Sequence, residues 1–337
     1  MAHDLKLHIW RVLLKPTYGS DNSIKNDELF KRIKAKEGVD DTADSYKLLM
    51  KQFIESFNGE FKKDKKNNKS FAPLDSDIKC YSNKQIICGF FEGGVTGIKQ
   101  TIKPNKNYKD KGRTVGQDDV VGLPYYFQLW IPADTNYAYI MIQSYTEINT
   151  GIATPFFEHF ENFLSDYTYG CRNKEIRVPK PIIDLFIDQS VIVGLDILRD
   201  RTSPTDRNKF NPALVDSERM KIRITISGLK IPFSVFSKSY VRDEKGNPFF
   251  IDLSEMGIID PNDYIAQVKY QDPISKKETK ASLTDLLNIH PTIVLPEEIK
   301  IKDSDYPDFD KIFVFCNKQL KLLQLEDGYA TTDEFKG

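Results

Sequence analysis

The sequence predicts an α+β fold: an N-terminal antiparallel sheet packed by about three helices, followed by a mostly β second domain. Segments that alternate between two faces are typical of strands, and apolar stripes at helical spacing are typical of helices. The composition is 40% hydrophobic with 22 Phe and 16 Tyr, which is enough apolar area to build packed cores. Because 337 residues exceed what one compact core usually holds, two domains are expected.

The N-terminal elements begin with a strand at 5–14, whose residues alternate between two partly covered faces. Helical stripes follow at 24–37 and 43–57, and the second ends at a plausible C-cap, Asn58-Gly59. These elements place two helices directly after the first strand.

Two hairpins and a third helix complete the predicted N-terminal domain. Strands at 85–92 and 95–103 are expected to pair through a tight turn at Gly93-Gly94, since glycine readily adopts the positive φ of such turns. A long polar loop is predicted over 104–118. The remaining segments are strands at 123–131 and 136–145, joined by a turn at 132–135, and a helix that opens at Thr154-Pro155 with Thr154 as its cap.

A domain boundary is predicted within 166–181, where Gly170, Pro179 and Pro181 interrupt the pattern. Short alternating segments follow, so the second domain is expected to be mostly β. Residues 309–325 fit either a helix or a hairpin, and the helix is favoured. The predicted parts are an α+β domain at 1–167, a mostly β domain at 182–327 and a loose tail at 328–337.

The distribution of charge is the strongest indication of a partner. Residues 60–113 hold thirteen Lys and Arg against six acids, a balance of +7, whereas the whole chain is −1 and the remainder is therefore −8. Such segregation produces a local positive field. Lysines can neutralise phosphates, and a nearby aromatic ring can stack on a base. The candidate nucleic-acid-binding residues are Lys99, Lys103, Lys106, Tyr108, Lys109, Lys111 and Arg113.

Two other interpretations of this basic stretch stay open. It contains a single Arg, although the guanidinium fork is the group best suited to phosphate and base recognition, so it also fits a solvated lysine-rich loop. An acidic protein partner is the other possibility. A nucleic-acid role is therefore a hypothesis that stands beside an ordinary surface role.

A metal-dependent nuclease is an alternative function. Asp75, Asp77 and Lys79 form a D-x-D-x-K pattern on a stretch that could be a strand, and two carboxylates with a lysine can serve a Mg²⁺ nuclease. The pattern is short, and the further acidic ligand that such a site needs cannot be located. Asp184, Asp188 and Asp196 interrupt an apolar region and are interpreted as polar-face residues, with Arg199 or Arg201 as partners of Asp196.

Other catalytic motifs are not found. The chain lacks H-E-x-x-H, G-x-S-x-G and both glycine-rich phosphate motifs, and His159 is placed on the polar side of its helix. The four cysteines form no C-x-x-C pair, which fits a reducing compartment. We therefore predict no cofactor, no structural metal, no membrane partner and a cytoplasmic location. The many Lys, Asn and Ile suggest a low-GC bacterial source.

Three consecutive runs carry a resemblance. They are FFEGGVTGIKQTI, then YYFQLWIPADTNYAYIMIQSY, then a helix that begins TPFFEHF. Together they resemble bacterial proteins thought to belong to phage-defence loci. The resemblance covers roughly residues 85–165, implies anti-phage defence as a context, and brings no catalytic residue with it.

Three functional hypotheses follow from the sequence. The leading one is a non-enzymatic subunit of a bacterial cytoplasmic system that binds DNA or RNA through 99–113, with 62–69 nearby. The second is the metal-dependent nuclease of Asp75, Asp77 and Lys79. The third is a protein–protein adaptor that makes no contact with nucleic acid.

Overall fold

The structure is a computed structural model, and its chain divides into two compact units. Unit 1 comprises residues 1–178 and 292–337, and unit 2 comprises residues 179–291. The structure describes residues 3–18, 23–64, 68–97, 99–104, 106, 109–146, 151–199, 207–208, 211–216, 220–236, 241–242, 248–249, 265–271, 273, 278–282 and 291–329.

The described elements confirm the predicted α+β fold, with antiparallel sheets in both units. The helices are α1 (Asp27–Glu37), α2 (Ser45–Glu55), α3 (Ala153–Ser165), α4 (Lys180–Gln189), α5 (Phe233–Phe236) and α6 (Phe309–Glu326). The strands are β1 (Leu5–Pro16), β2 (Lys62–Lys63), β3 (Lys69–Pro73), β4 (Lys79–Tyr81), β5 (Ile86–Val95), β6 (Gln100–Ile102), β7 (Arg113–Val115), β8 (Val121–Trp130), β9 (Tyr137–Tyr145), β10 (Tyr169–Ile176), β11 (Val191–Arg199), β12 (Ile222–Pro232), β13 (Val241–Arg242), β14 (Pro248–Phe249), β15 (Ile265–Gln271), β16 (Glu278–Ser282) and β17 (Ile293–Val294).

Unit 1 is built on one antiparallel sheet in the order β10-β1-β9-β8-β5-β3-β2, to which β17 and β4 add by pairing with β1 and β5. Both faces of this sheet are covered. Consecutive residues of a strand point to opposite faces, so the side chains of Phe90 and Phe91 pack on opposite faces of the sheet. Phe91 packs near Phe53 of α2, with ring centroids 6.3 Å apart, whereas Phe90 lies 6.0 Å from Phe309 of α6.

The helix at the C-terminus of the chain belongs to unit 1. Residues 309–326 form α6, which confirms the helix and excludes the hairpin, and Asp308 caps it by accepting from the Lys311 amide at 3.1 Å. Before it, β17 pairs with β1 through Lys6 and Val294. The predicted second domain at 182–327 therefore differs from unit 2, because the chain returns to the first sheet after residue 291.

The predicted start of a loose tail at 328 also differs from what is described. Tyr329 donates from its hydroxyl to Gln85 Oε1 and to Asp134 Oδ1, both at 3.1 Å, and its ring lies 4.8 Å from that of Trp130. The rest of the predicted tail, 330–337, lies outside the described residues.

The turn predicted at Gly93-Gly94 is wrong. Strand β5 continues through both glycines, paired with β3 on one side and β8 on the other. Neither glycine has a positive φ; instead, each permits a close approach. A Cβ on Gly94 would lie 1.8 Å from the Val121 carbonyl oxygen, and one on Gly93 would lie 2.4 Å from Ile152 Cγ2. Glycine is used here because there is no space for a side chain.

Replacement of Gly94 by Ala is expected to lower the free energy of unfolding of unit 1 by about 2–3 kcal/mol, because the new methyl group overlaps backbone of the paired strand. Both tryptophans, Trp10 and Trp130, lie in unit 1, so urea unfolding followed by tryptophan fluorescence reports on this unit. Gly151→Ala is the matched control, since a Cβ there has nothing within 4 Å. Equal unfolding midpoints for the two variants would contradict the packing role of Gly94.

The second hairpin and the third helix are close to their predicted positions. Strands β8 and β9 pair antiparallel, with Phe127 opposite Ile142 and Trp130 opposite Tyr139. Helix α3 begins one residue before Thr154, so Thr154 lies in the first turn and is not the cap. No helix in the described part of the chain is long and apolar enough to cross a membrane.

Unit 2 contains a four-stranded antiparallel sheet, β12-β11-β15-β16, and a short pair, β13-β14. Its core forms where α4 and α5 contribute Phe186 and Phe233 to one face of this sheet. Asp196 is on the sheet and is buried, which the polar-face interpretation did not anticipate. Its carboxylate binds Lys269 at 2.8 Å and Lys280 at 2.7 Å. Lys269 and Lys280 hold the pKa of Asp196 well below its usual range. The side chain of Arg199 and residue Arg201, the predicted partners, lie outside the described part of the chain.

Candidate nucleic-acid interface

The predicted binding residues lie on a hairpin between the end of β5 and the start of β8. We call residues 96–117 the basic arm. Strands β6 and β7 form a separate two-stranded sheet in which Gln100 is opposite Val115 and Ile102 is opposite Arg113. The sequence prediction of an unstructured loop over 104–118 is therefore wrong at its C-terminal end, where 113–115 is a strand.

Hydrogen bonds fix the base of the basic arm. The Gly97 amide, at φ +88°, donates to the Gln117 carbonyl at 2.8 Å, and Thr96 is buried beside it. Near the tip, the Gly112 amide donates to Asp110 Oδ1 at 2.8 Å. Gly112 has φ +69°, and a Cβ there would lie 2.4 Å from the Ile102 carbonyl oxygen, so only glycine suits this turn.

The cationic side chains of the basic arm are accessible to a partner. Each of the described candidates is exposed, and Tyr108, the proposed stacking residue, lies outside the described residues. Six cationic side chains against one acid, Asp110, give the arm a formal charge of +5. The exposed candidates are Lys99, Lys103, Lys106, Lys109, Lys111 and Arg113.

A second lysine-rich segment meets the base of the arm. We call residues 62–69 the basic edge, because strand β2 within it is the last strand of the unit 1 sheet. The Thr96 amide donates to the Asn68 carbonyl at 2.9 Å, and Lys69 is opposite Val95 in the ladder. The Lys63 side chain is exposed. The two basic segments, separated by about thirty residues in sequence, are therefore neighbours on one surface.

The carboxylates of the nuclease alternative are not arranged as on a strand. Asp75 and Asp77 lie on a single 3-10 turn, and Lys79 starts β4. The Lys79 ammonium lies 3.8 Å from the ring centroid of Phe309, so its charge faces an aromatic ring. Among the described residues, no group of three His, Cys, Asp or Glu side chains could hold a metal ion.

The aromatic residues of β8 and β9 form part of the core. Their exposed fractions are 8% or less, so they offer no platform for a base. Trp130 and Tyr139 stack across the strands with centroids 5.8 Å apart. The buried set is Tyr125, Tyr126, Phe127, Trp130, Tyr137, Tyr139 and Tyr145.

A serine–histidine pair occurs where the sequence did not indicate one. Ser56 Oγ is 2.9 Å from His159 Nε2, and the same hydroxyl donates to the Phe53 carbonyl at 2.6 Å. The prediction that His159 faces the polar side of its helix is wrong, because its ring lies 4.2 Å from that of Phe57. Burial lowers the pKa of His159 to about 4, with a smaller effect of Lys62. The imidazole is thus neutral at neutral pH and serves packing, since no carboxylate bonded to it is described.

This partly buried histidine makes the stability of unit 1 depend on pH. Its folded pKa of about 4 is below the unfolded value of 6.5, so the unfolded state binds the proton first as the pH falls. As the pH falls from 6.5 to about 4, the free energy of unfolding of unit 1 is expected to decrease by roughly 1–2 kcal/mol. This range is smaller than the full difference in pKa would give, because the imidazole is partly exposed to solvent. The His159→Gln variant, measured by urea unfolding across this range, should lose that decrease. An unchanged slope would contradict the assignment.

The cysteines are not poised for nucleophilic chemistry. Burial raises the pKa of Cys88 and of Cys171 to about 12, and it raises that of Cys316 well above the usual value of a thiol. A thiol needs a low pKa to act as a nucleophile at neutral pH, so these side chains are buried packing groups.

Comparison with known proteins adds no functional residue. No protein-family model matches the chain, and no curated protein or solved structure matches it. The candidate site is therefore defined by the basic arm and the basic edge. Sequence reasoning named the arm residues and placed 62–69 nearby, but it did not identify the hydrogen bond between Thr96 and Asn68 that joins the two segments. The continuous charge from residue 60 to 113 was the signal that connected them.

Proposed function

We propose that the protein binds DNA or RNA through the basic arm, with the basic edge beside it, and that it acts as a non-enzymatic subunit. One observation carries this proposal: the six described cations of the arm are all exposed on one short hairpin, which folds as its own two-stranded sheet. A concentrated cationic ribbon releases counterions from a phosphate backbone, which is the main source of non-specific affinity.

The chemistry of the arm favours contact with phosphates over readout of bases. Five of its six cations are lysines, which act as point charges, and Arg113 alone has the fork that reads base edges. A two-stranded ribbon can enter the major groove of a duplex. We therefore expect affinity with little sequence preference. The bacterial defence context implied by the resemblance belongs to this proposal, since a defence subunit of this kind would contact nucleic acid of any sequence.

The test is a titration of the pure protein against labelled single- and double-stranded DNA and RNA, at low and high salt, with and without Mg²⁺. Binding that weakens steeply with salt and leaves the nucleic acid intact is expected. Mg²⁺-dependent cleavage that is lost in Asp77→Ala would replace the proposal with the nuclease alternative. Lack of binding at low salt to every substrate would overturn it and favour the protein adaptor.

A further inference from the structure

A groove lies on the α6 face of the unit 1 sheet, at the end of β5 opposite to the basic arm. It has a volume of about 670 Å³. Ile86 of β5, Trp130 of β8 and Leu320 of α6 are buried residues that line it and form an apolar floor. The arm leaves β5 after Val95, so nine residues of strand, about 30 Å, separate the two features.

Two local structures build the walls of the groove. Helix α6 contributes Phe313, Asn317 and Gln324, which follow one another at the four- and seven-residue spacings of one helix face. A 3-10 turn over Ser82–Lys84 contributes the opposite wall and ends at Gln85. Gln85 has a left-handed φ of 60°, an uncommon conformation for a residue other than glycine that is found disproportionately at binding sites.

Hydrogen bonds to the buried Gln128 fix the orientation of the Asn317 amide, which lines the groove. The Tyr126 hydroxyl donates to Gln128 Oε1 at 2.8 Å, so Gln128 Nε2 donates to Asn317 Oδ1 at 3.1 Å. This leaves the Asn317 Nδ2 group for a ligand. The Gln85 amide does not add a second donor of this kind, because the Tyr329 hydroxyl has one proton for two acceptors, Gln85 Oε1 and Asp134 Oδ1, each 3.1 Å away.

The charge of the groove complements an anion. Lys84 and Lys321 line it, and none of the described lining residues is acidic. The Lys84 ammonium lies 5.8 Å from the ring centroids of both Tyr81 and Phe313, which stack 4.8 Å apart. The described lining therefore combines an apolar, partly aromatic floor, an amide donor and cations.

We propose that this groove binds a nucleoside monophosphate whose base carries carbonyl acceptors, such as uridine or guanosine monophosphate. The base would lie against the partly exposed ring of Phe313, one of its carbonyl oxygens would accept from Asn317 Nδ2, and the phosphate would lie near Lys84 and Lys321. Occupancy of this site is independent of the basic arm, because the two features share no residue and lie at opposite ends of β5.

Trp130 provides a local probe of binding. In a Trp10→Phe background it is the single tryptophan, since the chain has two. Uridine and guanosine monophosphate are expected to change its fluorescence with saturation, and inorganic phosphate at the same concentration is expected to bind at least about tenfold more weakly.

The decisive variant is Asn317→Asp. The new carboxylate still accepts from Gln128 Nε2, so the core bond survives, but a donor is lost and a negative charge is added to the groove. Nucleotide affinity should fall by at least about tenfold. Lys318→Glu is the control, because it adds negative charge at the next, exposed position of α6 outside the groove. Lys84→Glu is a second test, at an exposed position in the wall of the groove.

Three results would overturn the groove proposal: no saturable response to either nucleotide, equal affinity for inorganic phosphate, or unchanged affinity in both Asn317→Asp and Lys84→Glu. An arm variant with Lys99, Lys106 and Lys111 changed to Glu should still bind the nucleotides. Failure of the groove proposal is thereby distinguishable from failure of nucleic-acid binding by the arm.

Discussion

Changing Lys99, Lys106 and Lys111 together to Glu is expected to weaken binding to single- and double-stranded nucleic acid by at least about 100-fold at low salt. The three substitutions convert the formal charge of the basic arm from +5 to −1. All three side chains are exposed, so their replacement removes no buried contact. The expected loss comes from phosphate attraction that turns into repulsion, which an equilibrium titration by fluorescence anisotropy measures directly.

A second triple variant, in which three lysines outside the arm are changed to Glu, controls for the change in net charge of the whole protein. Lys302, Lys311 and Lys318 are exposed lysines of unit 1 outside the arm, and their change to Glu should weaken binding much less. The dependence of log K on log salt should also become shallower in the arm variant alone, by about 0.7–0.9 for each phosphate contact removed. Equal losses in the two variants would mean that net charge, and not the arm, governs binding.

Replacement of Asp327 by Ala is expected to lower the free energy of unfolding of unit 1 by about 2–4 kcal/mol. This carboxylate, 10% exposed, lies at the C-terminal end of α6. It accepts from the Tyr139 hydroxyl at 2.7 Å and pairs with Arg11 at 3.5 Å and Arg177 at 3.4 Å. The substitution removes a carboxylate that two guanidinium groups and a phenol share. The resulting loss of stability therefore exceeds that from breaking an ordinary surface ion pair.

Urea unfolding followed by tryptophan fluorescence measures this loss in unit 1. Glu158→Ala is the control, because it removes an exposed carboxylate from α3. A double-mutant cycle with Arg11→Ala separates the pair from the rest of the network. If Asp327→Ala unfolds at the same urea concentration as the control, the Asp327 network does not hold α6 to the sheet.

The Asp327 network also bears on how the chain is divided. Unit 1 is completed by residues that follow unit 2 in sequence, and α6 covers the sheet face that the first 178 residues leave open. A fragment that ends at residue 178 would expose Phe90 and the other side chains of that face to water. The groove exists because this late helix packs beside β5 and β8.

Local patterns in the sequence were sufficient for many elements. Alternation identified the β8–β9 hairpin, and helical spacing identified the aromatic face of α3 and favoured a helix over a hairpin at 309–325, because these signals depend on the period of the element itself. The basic arm could also be named residue by residue, since charge is a property of the side chains. The sequence did not indicate whether those side chains would be exposed.

Features that depend on distant contacts were mispredicted. Gly93 and Gly94 resemble turn residues locally, but their role is set by the Val121 backbone and the Ile152 side chain against them. His159 appeared polar on its own helix, yet the rings of Phe53 in α2 and of Phe57 just after it pack against the imidazole. In both cases the deciding atoms come from elements that are far away along the chain.

The sequence by itself therefore determined the α+β class and the positive charge of 99–113, and it favoured a helix at 309–325. Only the tertiary structure decided that the basic edge adjoins the arm, that 309–326 is a helix packed on the first sheet, and that hydrogen bonds orient the Asn317 donor in one groove. The reason is physical: propensity and charge are carried by each residue, whereas close approach, burial and the pairing of polar groups arise when separate segments pack together.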